Sequence, residues 1–176
     1  MSTEILTKVK GVTDELISIL SSFSQTDINK VPYNGGWSAA QVGEHLYKSY
    51  AVVEIFKAPI KKTDRAPDEN VESIKSMFLN FDIKMSSPEF IIPSAGIIEK
   101  DALIDSLRHR TSKILEISKS LDLSETCLAF SPPGSGELTR LEWLYFILYH
   151  TQRHIVQLKN IQQIINADKE MSIPNN

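Results

Sequence analysis

Thr139-Arg140-Leu141-Glu142-Trp143-Leu144-Tyr145-Phe146-Ile147-Leu148-Tyr149-His150-Thr151-Gln152-Arg153-His154 opens on a hydroxyl, meets a carboxylate three residues later and then turns almost continuously apolar. Thr139 with Glu142 has the form of a capping box, in which each side chain satisfies the other's backbone N–H at a helix start. Leu138 and Trp143 stand where a hydrophobic staple would close over that cap. The spacing predicts a helix from Thr139 to about Ala167, with Asp168–Asn176 as a frayed tail. At about 100° per residue, Ile147, His150, His154, Leu158 and Ile161 share one narrow sector. Two imidazoles one turn apart therefore face a core.

Three more helices follow from the same reasoning. From Thr3 to Phe23, the residues Ile5, Val9, Val12, Leu16, Leu20 and Phe23 recur at spacings of three and four, the stripe of an amphipathic helix. Ser24–Gly36 has the composition of a loop. Ser38 and Gln41 form a second capping box, stapled by Trp37 and Val42, and the helix it opens carries Val42, His45, Leu46, Ser49, Val53 and Phe56 on one face. Pro59 places its end near Ala58. Leu103, Leu107, Ile114 and Ile117 define a helix over about Lys100–Leu121. Between the second and third of these helices lies a polar connector, a short helix at Val71–Leu79, and an irregular apolar excursion over Phe81–Gly96. A connection of that length is usually functional or packed over something. Phe90-Ile91-Ile92, stopped by Pro93, is the one strand candidate. The expected architecture is a single all-α domain over residues 1–176, with four main helices in a bundle.

Composition bounds the function. With 176 residues, 41% of them hydrophobic, the chain buries enough surface to fold without a disulfide or structural metal. A net charge of −3 argues against a nucleic-acid binder or an anionic-membrane surface protein. No stretch of about 18 apolar residues occurs and the N-terminus lacks the pattern of a signal peptide, so a cytoplasmic location is expected. A single cysteine, Cys127, excludes a multi-cysteine metal site. Any metal must be held by His, Asp or Glu, and there are four histidines: His45, His109, His150 and His154.

Buried neutral imidazoles each need a partner, and neighbouring ones cannot all be charged cheaply. A shared divalent metal satisfies both conditions. His45 lies on the core stripe of the second helix, so a bundle can bring it opposite His150 and His154. Three histidine ligands leave a coordination position open, the composition of a catalytic site. The alternative is a set of core histidines satisfied by ordinary hydrogen bonds. His109, in the run Arg108-His109-Arg110, falls off its helix's apolar stripe and is expected at the surface.

Gly36-Trp37-Ser38-Ala39-Ala40-Gln41-Val42-Gly43-Glu44-His45-Leu46 resembles the second-helix signature of the DinB-like superfamily. The segment from Pro133-Gly134 through Leu138–Trp143 to His150-Thr151-Gln152-Arg153-His154 resembles its fourth-helix signature. The resemblance spans roughly residues 3 to 166. It implies a four-helix bundle of up-down-down-up type with a long irregular connection between helices two and three. It also implies a divalent metal, zinc or nickel, held by His45, His150 and His154. Relatives of this kind include thiol-dependent S-transferases, and many are homodimers. The implied function is a metal-dependent enzyme acting on small molecules, as a thiol S-transferase with a low-molecular-weight thiol as co-substrate. The alternatives are a metal-dependent hydrolase and a non-catalytic metal- or ligand-binding homodimeric bundle. No nucleic-acid or membrane partner is implied.

Gln157, three residues past His154, is a candidate to orient that ring from behind. Glu44, turned away from His45, is expected in solvent, and Arg153 in a structural ion pair. Trp37 and Trp143 read as anchors of the helix starts. None of Tyr47, Tyr50, Tyr145 and Tyr149 acquires a role. Cys127 has no activating context. No motif for a nucleotide site, a zincin or a serine hydrolase appears.

Overall fold

Four amphipathic helices bury their stripes against one another in the computed structural model, which describes residues 2–32 and 35–171. The first, α1 (Ser2–Ser22), buries Ile5, Val9, Val12, Leu16 and Leu20, the residues its spacing selects. The segment read as a loop then contains one helical turn, α2 (Gln25–Ile28). Ser24 caps it, accepting from the Asp27 N–H at 3.1 Å, and Ile28 is buried beneath it. A single turn is too short to leave a periodic signal. Tyr33 and Asn34, in the rest of that loop, lie outside the described residues.

The second main helix, α3 (Ala39–Ser49), starts on the expected box: the Ser38 hydroxyl accepts from Gln41 N at 3.2 Å, and Ser38 N donates to Gln41 Oε1 at 3.0 Å. It stops at Tyr50 rather than near Ala58, and a separate turn, α4 (Val52–Ile55), follows. The cause is burial. Tyr50 and Val52 would point about 200° apart on a continuous helix, yet both are buried, and the break lets each reach the core.

The long connection holds β1 (Ile60–Lys61), α5 (Val71–Leu79) and a 3-10 turn at Glu89–Ile91. The strand candidate at Phe90–Ile92 is therefore a tight turn; Pro88 and Pro93 on either side have no N–H to offer a ladder. The strands that do form, β1 and β2 (Thr126–Cys127), pair antiparallel over two residues each, too short to show alternation in sequence.

The third main helix is α6 (Lys100–Ser120) and the fourth is α7 (Arg140–Met171). The second capping box forms as read: Glu142 N donates to Thr139 Oγ1 at 3.1 Å and Thr139 N to Glu142 Oε2 at 2.9 Å. The helix runs past the expected end, so Asp168–Met171 are helical; Lys169 reaches Asp27 at 2.6 Å and Asp168 pairs with Lys30 at 2.8 Å. The remainder of the expected tail, residues 172–176, lies outside the described residues.

Cross-links between the helices fix their directions. Glu15 meets Lys159, Ser22 meets Gln162 and Asp27 meets Lys169, so α1 and α7 run parallel. Tyr50 meets Thr151 and the Phe56 carbonyl meets Arg140, so α3 runs antiparallel to α7. Tyr47 meets Arg110 and Glu54 meets Lys113, so α3 and α6 run parallel. The bundle is up-down-down-up. A Cβ at Gly43 would stand 2.9 Å from Leu103 Cδ2 and 3.1 Å from Leu20 Cδ1, so glycine there lets α3 lie close against α6 and α1.

The end of the bundle where α7 begins is tied by two buried charges. Glu142, fully buried, accepts from both terminal nitrogens of Arg65 at 2.6 and 2.7 Å and from Asn70 N at 2.8 Å, besides Thr139 N. Arg140 donates to the carbonyls of Phe56 and Asp122 and to the Glu125 carboxylate. The long connection is thereby anchored to α7 at a fixed height, which sets the position of everything between them.

Candidate metal centre

Antiparallel packing of α3 on α7 places His45 level with His150 and His154. All three are buried, none exposing more than 9% of its surface. Their Nε2 atoms converge: His45 to His150 at 3.1 Å and His154 to His150 at 3.0 Å. Tyr50 holds this register. Thr151 spends its hydroxyl proton on the Ile147 carbonyl at 2.7 Å, so the Tyr50 hydroxyl donates to Thr151 Oγ1 at 2.6 Å, one residue from His150.

The far side of two rings decides what the near side offers. His45 Nδ1 lies 2.9 Å from the Ile91 carbonyl oxygen, and His154 Nδ1 lies 2.8 Å from Gln157 Oε1. A carbonyl oxygen only accepts, so both Nδ1 atoms carry protons and, in the neutral rings, both Nε2 lone pairs face the cluster. Burial is the main force holding all three imidazoles below the ordinary histidine range, His154 to about 3 and His150 further lowered by its neighbours His154 and His45. Three neutral nitrogens thus crowd one point with at most one proton, on His150 Nε2, to share among them. Protein groups alone leave at least one pair of lone pairs opposed; a cation accepted by all three removes the conflict. The donor set fits a divalent metal of the borderline kind that imidazole suits, and each of the two fixed rings has the hydrogen-bonded support usual for ligating histidines.

The Ile91 carbonyl is itself held in place. One polar face of α3 grips residues 91–94: Lys48 Nζ donates to Ile92 O at 2.8 Å, Gln41 Nε2 donates to Ser94 O at 3.1 Å, and Glu44 Oε2 accepts from Ser94 N and Oγ, both at 2.7 Å. Glu44, expected in solvent, is instead a half-buried clamp whose carboxyl is kept below its usual range by Ser94 and Lys48 against the opposing effect of burial. It stands one residue from His45, and from neighbouring faces of α3 the two side chains hold Ser94 and Ile91 of the same segment.

The cluster lies at the wall of an open cleft of about 1110 Å³ between α7, the 86–92 segment and Trp37. The Trp37 ring sits 5.0 Å from that of His45 and Phe78 4.9 Å from that of His150, so apolar walls surround the nitrogens. Trp37, expected as an anchor of a helix start, packs against the core and lines the cleft. Gln157 and Arg153 line it too. Arg153, expected in an ion pair, donates instead to the carbonyls of Phe78, Asn80 and Ile83 at 3.0, 3.0 and 2.7 Å.

The remaining candidates stand apart. His109 is exposed on α6, and Arg110 beside it lies over the Tyr47 ring at 4.0 Å. Cys127 is buried in β2 with its thiol pushed up to about 11 by burial. Tyr145 and Tyr149 stack on each other and do not line the cleft. The contribution that sequence reasoning missed is the Ile91 carbonyl, a backbone atom contributed from 46 residues away, for which no side-chain signal exists.

Comparison with known proteins agrees with the four-helix bundle. A family model described as the DinB superfamily matches residues 9–158. The uncharacterised protein YuaE of Bacillus subtilis (strain 168) is 24% identical over 155 residues, spanning 83% of this chain and 90% of the relative. Among solved structures, YfiT from Bacillus subtilis, described as a probable metal-dependent hydrolase with an unusual four-helix bundle topology, superposes with a TM-score of 0.60 at 14% identity, over 94% of this chain and 87% of that one. TT2238, described as a four-helix bundle protein, superposes with a TM-score of 0.54 at 19% identity, over 91% of this chain and 99% of that one. Among the described residues, no helix is long and apolar enough to cross a membrane.

Proposed function

This chain belongs to the DinB superfamily, and from that premise we propose that it is a divalent-metal enzyme, with zinc or nickel held by His45, His150 and His154, that directs a nucleophile at a small electrophilic molecule. The observation that carries the reading is the convergence of three Nε2 atoms, two of them with fixed tautomers, at the wall of an open cleft. When bound, such an ion supplies Lewis acidity that draws the pKa of a thiol or water in its open position toward neutrality. The chain's own residues do the rest. Ile91 O and Gln157 orient two ligands, Trp37 and Phe78 keep bulk water off the nitrogens, and the cleft admits the substrate.

Thiol S-transfer is the reaction we favour. Among the described residues lining the cleft there is no Asp, Glu, Lys, Tyr or Cys to serve as a general base. A thiol, already acidic, needs less help from a side chain than water does. Hydrolysis is the second reading, supported by the description of the structural neighbour YfiT. The family resemblance extends the proposal to a homodimer, which sedimentation velocity checks.

Untagged protein should bind about one zinc or nickel ion per chain by elemental analysis, and His150→Ala should lose it while His109→Ala keeps it. Stoichiometric binding by His150→Ala would overturn the ligand assignment. Metal-loaded protein should then turn over monobromobimane with at least one member of a panel of low-molecular-weight thiols. Turnover of p-nitrophenyl esters without any thiol-dependent reaction would move the assignment to hydrolysis.

A further inference from the structure

The cleft has one permanent charge. Among the described side chains that line it, Arg153 carries the one guanidinium, and no carboxylate or lysine is present. The Arg153 charge is not cancelled. Its three partners are neutral backbone carbonyls of Phe78, Asn80 and Ile83, and none of the ion pairs among the described residues involves it. A guanidinium has five N–H donors. Three hydrogen bonds to carbonyls leave two donors free, enough for the fork that pairs with a carboxylate. The same three bonds, with the Phe81 ring 5.5 Å from the guanidinium carbon, fix its position before any ligand arrives. On α7 it sits one residue before His154 and lines the same cleft as His150 and His154.

The wall beside it is apolar and open. Phe81, Met85 and Val156 expose 53, 43 and 40% of their surface where they line the cleft. Large hydrophobic residues left uncovered at the mouth of a concave site suit an apolar ligand body.

We propose that Arg153 is a specificity-determining residue that recognises an anionic group, a carboxylate, on a substrate whose apolar body packs on Phe81, Met85 and Val156. Its identification as a substrate contact rests on the enzymatic reading above; the binding it predicts does not require the metal. A carboxylate could also reach the histidine cluster when a metal is present, so the discriminating measurement is made on metal-free protein.

Chelator-treated full-length protein is titrated with phenylacetate and with its neutral isostere phenylacetamide, followed by calorimetry and by the 1H–15N signal of Arg153 Nε. The expected result is at least about tenfold tighter binding of the carboxylate, equivalent to about 1.4 kcal/mol, with the Arg153 signal shifting for phenylacetate only. Arg153→Gln should abolish the preference. Equal binding of the two probes, or a preference that survives in folded Arg153→Gln, overturns the proposal. Should that variant fail to fold, the wild-type Arg153 signal decides alone: no shift with phenylacetate overturns it. Loss of stoichiometric metal binding in the elemental analysis would defeat the enzymatic reading and leave this result standing, so the two can fail separately.

Discussion

The Nδ1 of His45 lies 2.9 Å from the carbonyl oxygen of Ile91, so a backbone atom in the least regular part of the chain sets which nitrogen of a buried histidine faces the cluster. The strap and the candidate metal centre are one unit, joined by α3.

That coupling makes Glu44 a positioning residue. Glu44→Ala removes both acceptor contacts to Ser94 and frees the segment that presents the Ile91 carbonyl. Zinc affinity should fall by up to about tenfold, comparable to one hydrogen bond to a charged group at about 1.5 kcal/mol. Competition with a fluorescent chelator measures the affinity, and limited proteolysis should cut residues 86–96 faster. Ser94→Ala keeps the backbone contact and should show a smaller effect. Unchanged zinc affinity in both variants would separate the strap from the site.

Gln157 plays the corresponding part for His154. Gln157→Leu leaves His154 Nδ1 without its acceptor and lets the other tautomer compete. Metal affinity should drop about 10–100-fold, while Gln157→Glu, which preserves an acceptor, should retain it. Wild-type affinity in Gln157→Leu would show that packing alone orients the ring.

The pH dependence of the metal-free protein follows from the histidines. Their folded pKa values lie below the unfolded value of about 6.5, His154 at about 3. Below about pH 6.5 the unfolded chain binds protons that the folded one refuses. Stability is therefore full above that pH and declines as pH falls toward 3, where folded His154 takes up its proton. Urea midpoints should be level from pH 7 to 8 and fall between pH 6.5 and 5, while most carboxylates are still ionised. His154→Gln should flatten that slope. An equally steep slope in the variant would mean that other groups carry the effect.

Glu142 should be the most sensitive position for stability. Glu142→Ala strands the buried side of Arg65 and leaves the N–H groups of Asn70 and Thr139 without an acceptor. The expected loss is about 3–5 kcal/mol, the cost of breaking a buried charge pair, read from urea unfolding. Because the carboxyl is held below its usual range, principally by Arg65 against burial, its contribution is present above about pH 4.5 and lost as pH falls below that. Arg65→Ala combined with Glu142→Ala should cost less than the sum of the two.

Much of this was legible in the chain alone. Thr139 with Glu142 and Ser38 with Gln41 announce two helix starts because a capping box is a local exchange of hydrogen bonds, complete within four residues. The inward sector of His150 and His154 follows from helical geometry, and that of His45 from its stripe. Gln157 could be named because it shares one turn with His154. What left no local signal was short or set by packing: α2 is a single turn, β1 and β2 are two residues each, and the break after Ser49 lets Tyr50 and Val52 both reach the core.

Convergence and polarity, which the family resemblance implies, follow from no local pattern, and only the tertiary structure supplies their physical cause. No local rule says that α3 lies antiparallel to α7, and that packing alone brings His45 Nε2 within 3.1 Å of His150. Nor could sequence reveal that Glu44 clamps a strap, that Arg153 keeps its charge by pairing with carbonyls, or that Ile91 supplies an acceptor. Each depends on partners tens of residues distant, some of them backbone atoms that every residue possesses. Side-chain periodicity specifies which faces are buried; which buried groups meet is set by how those faces dock.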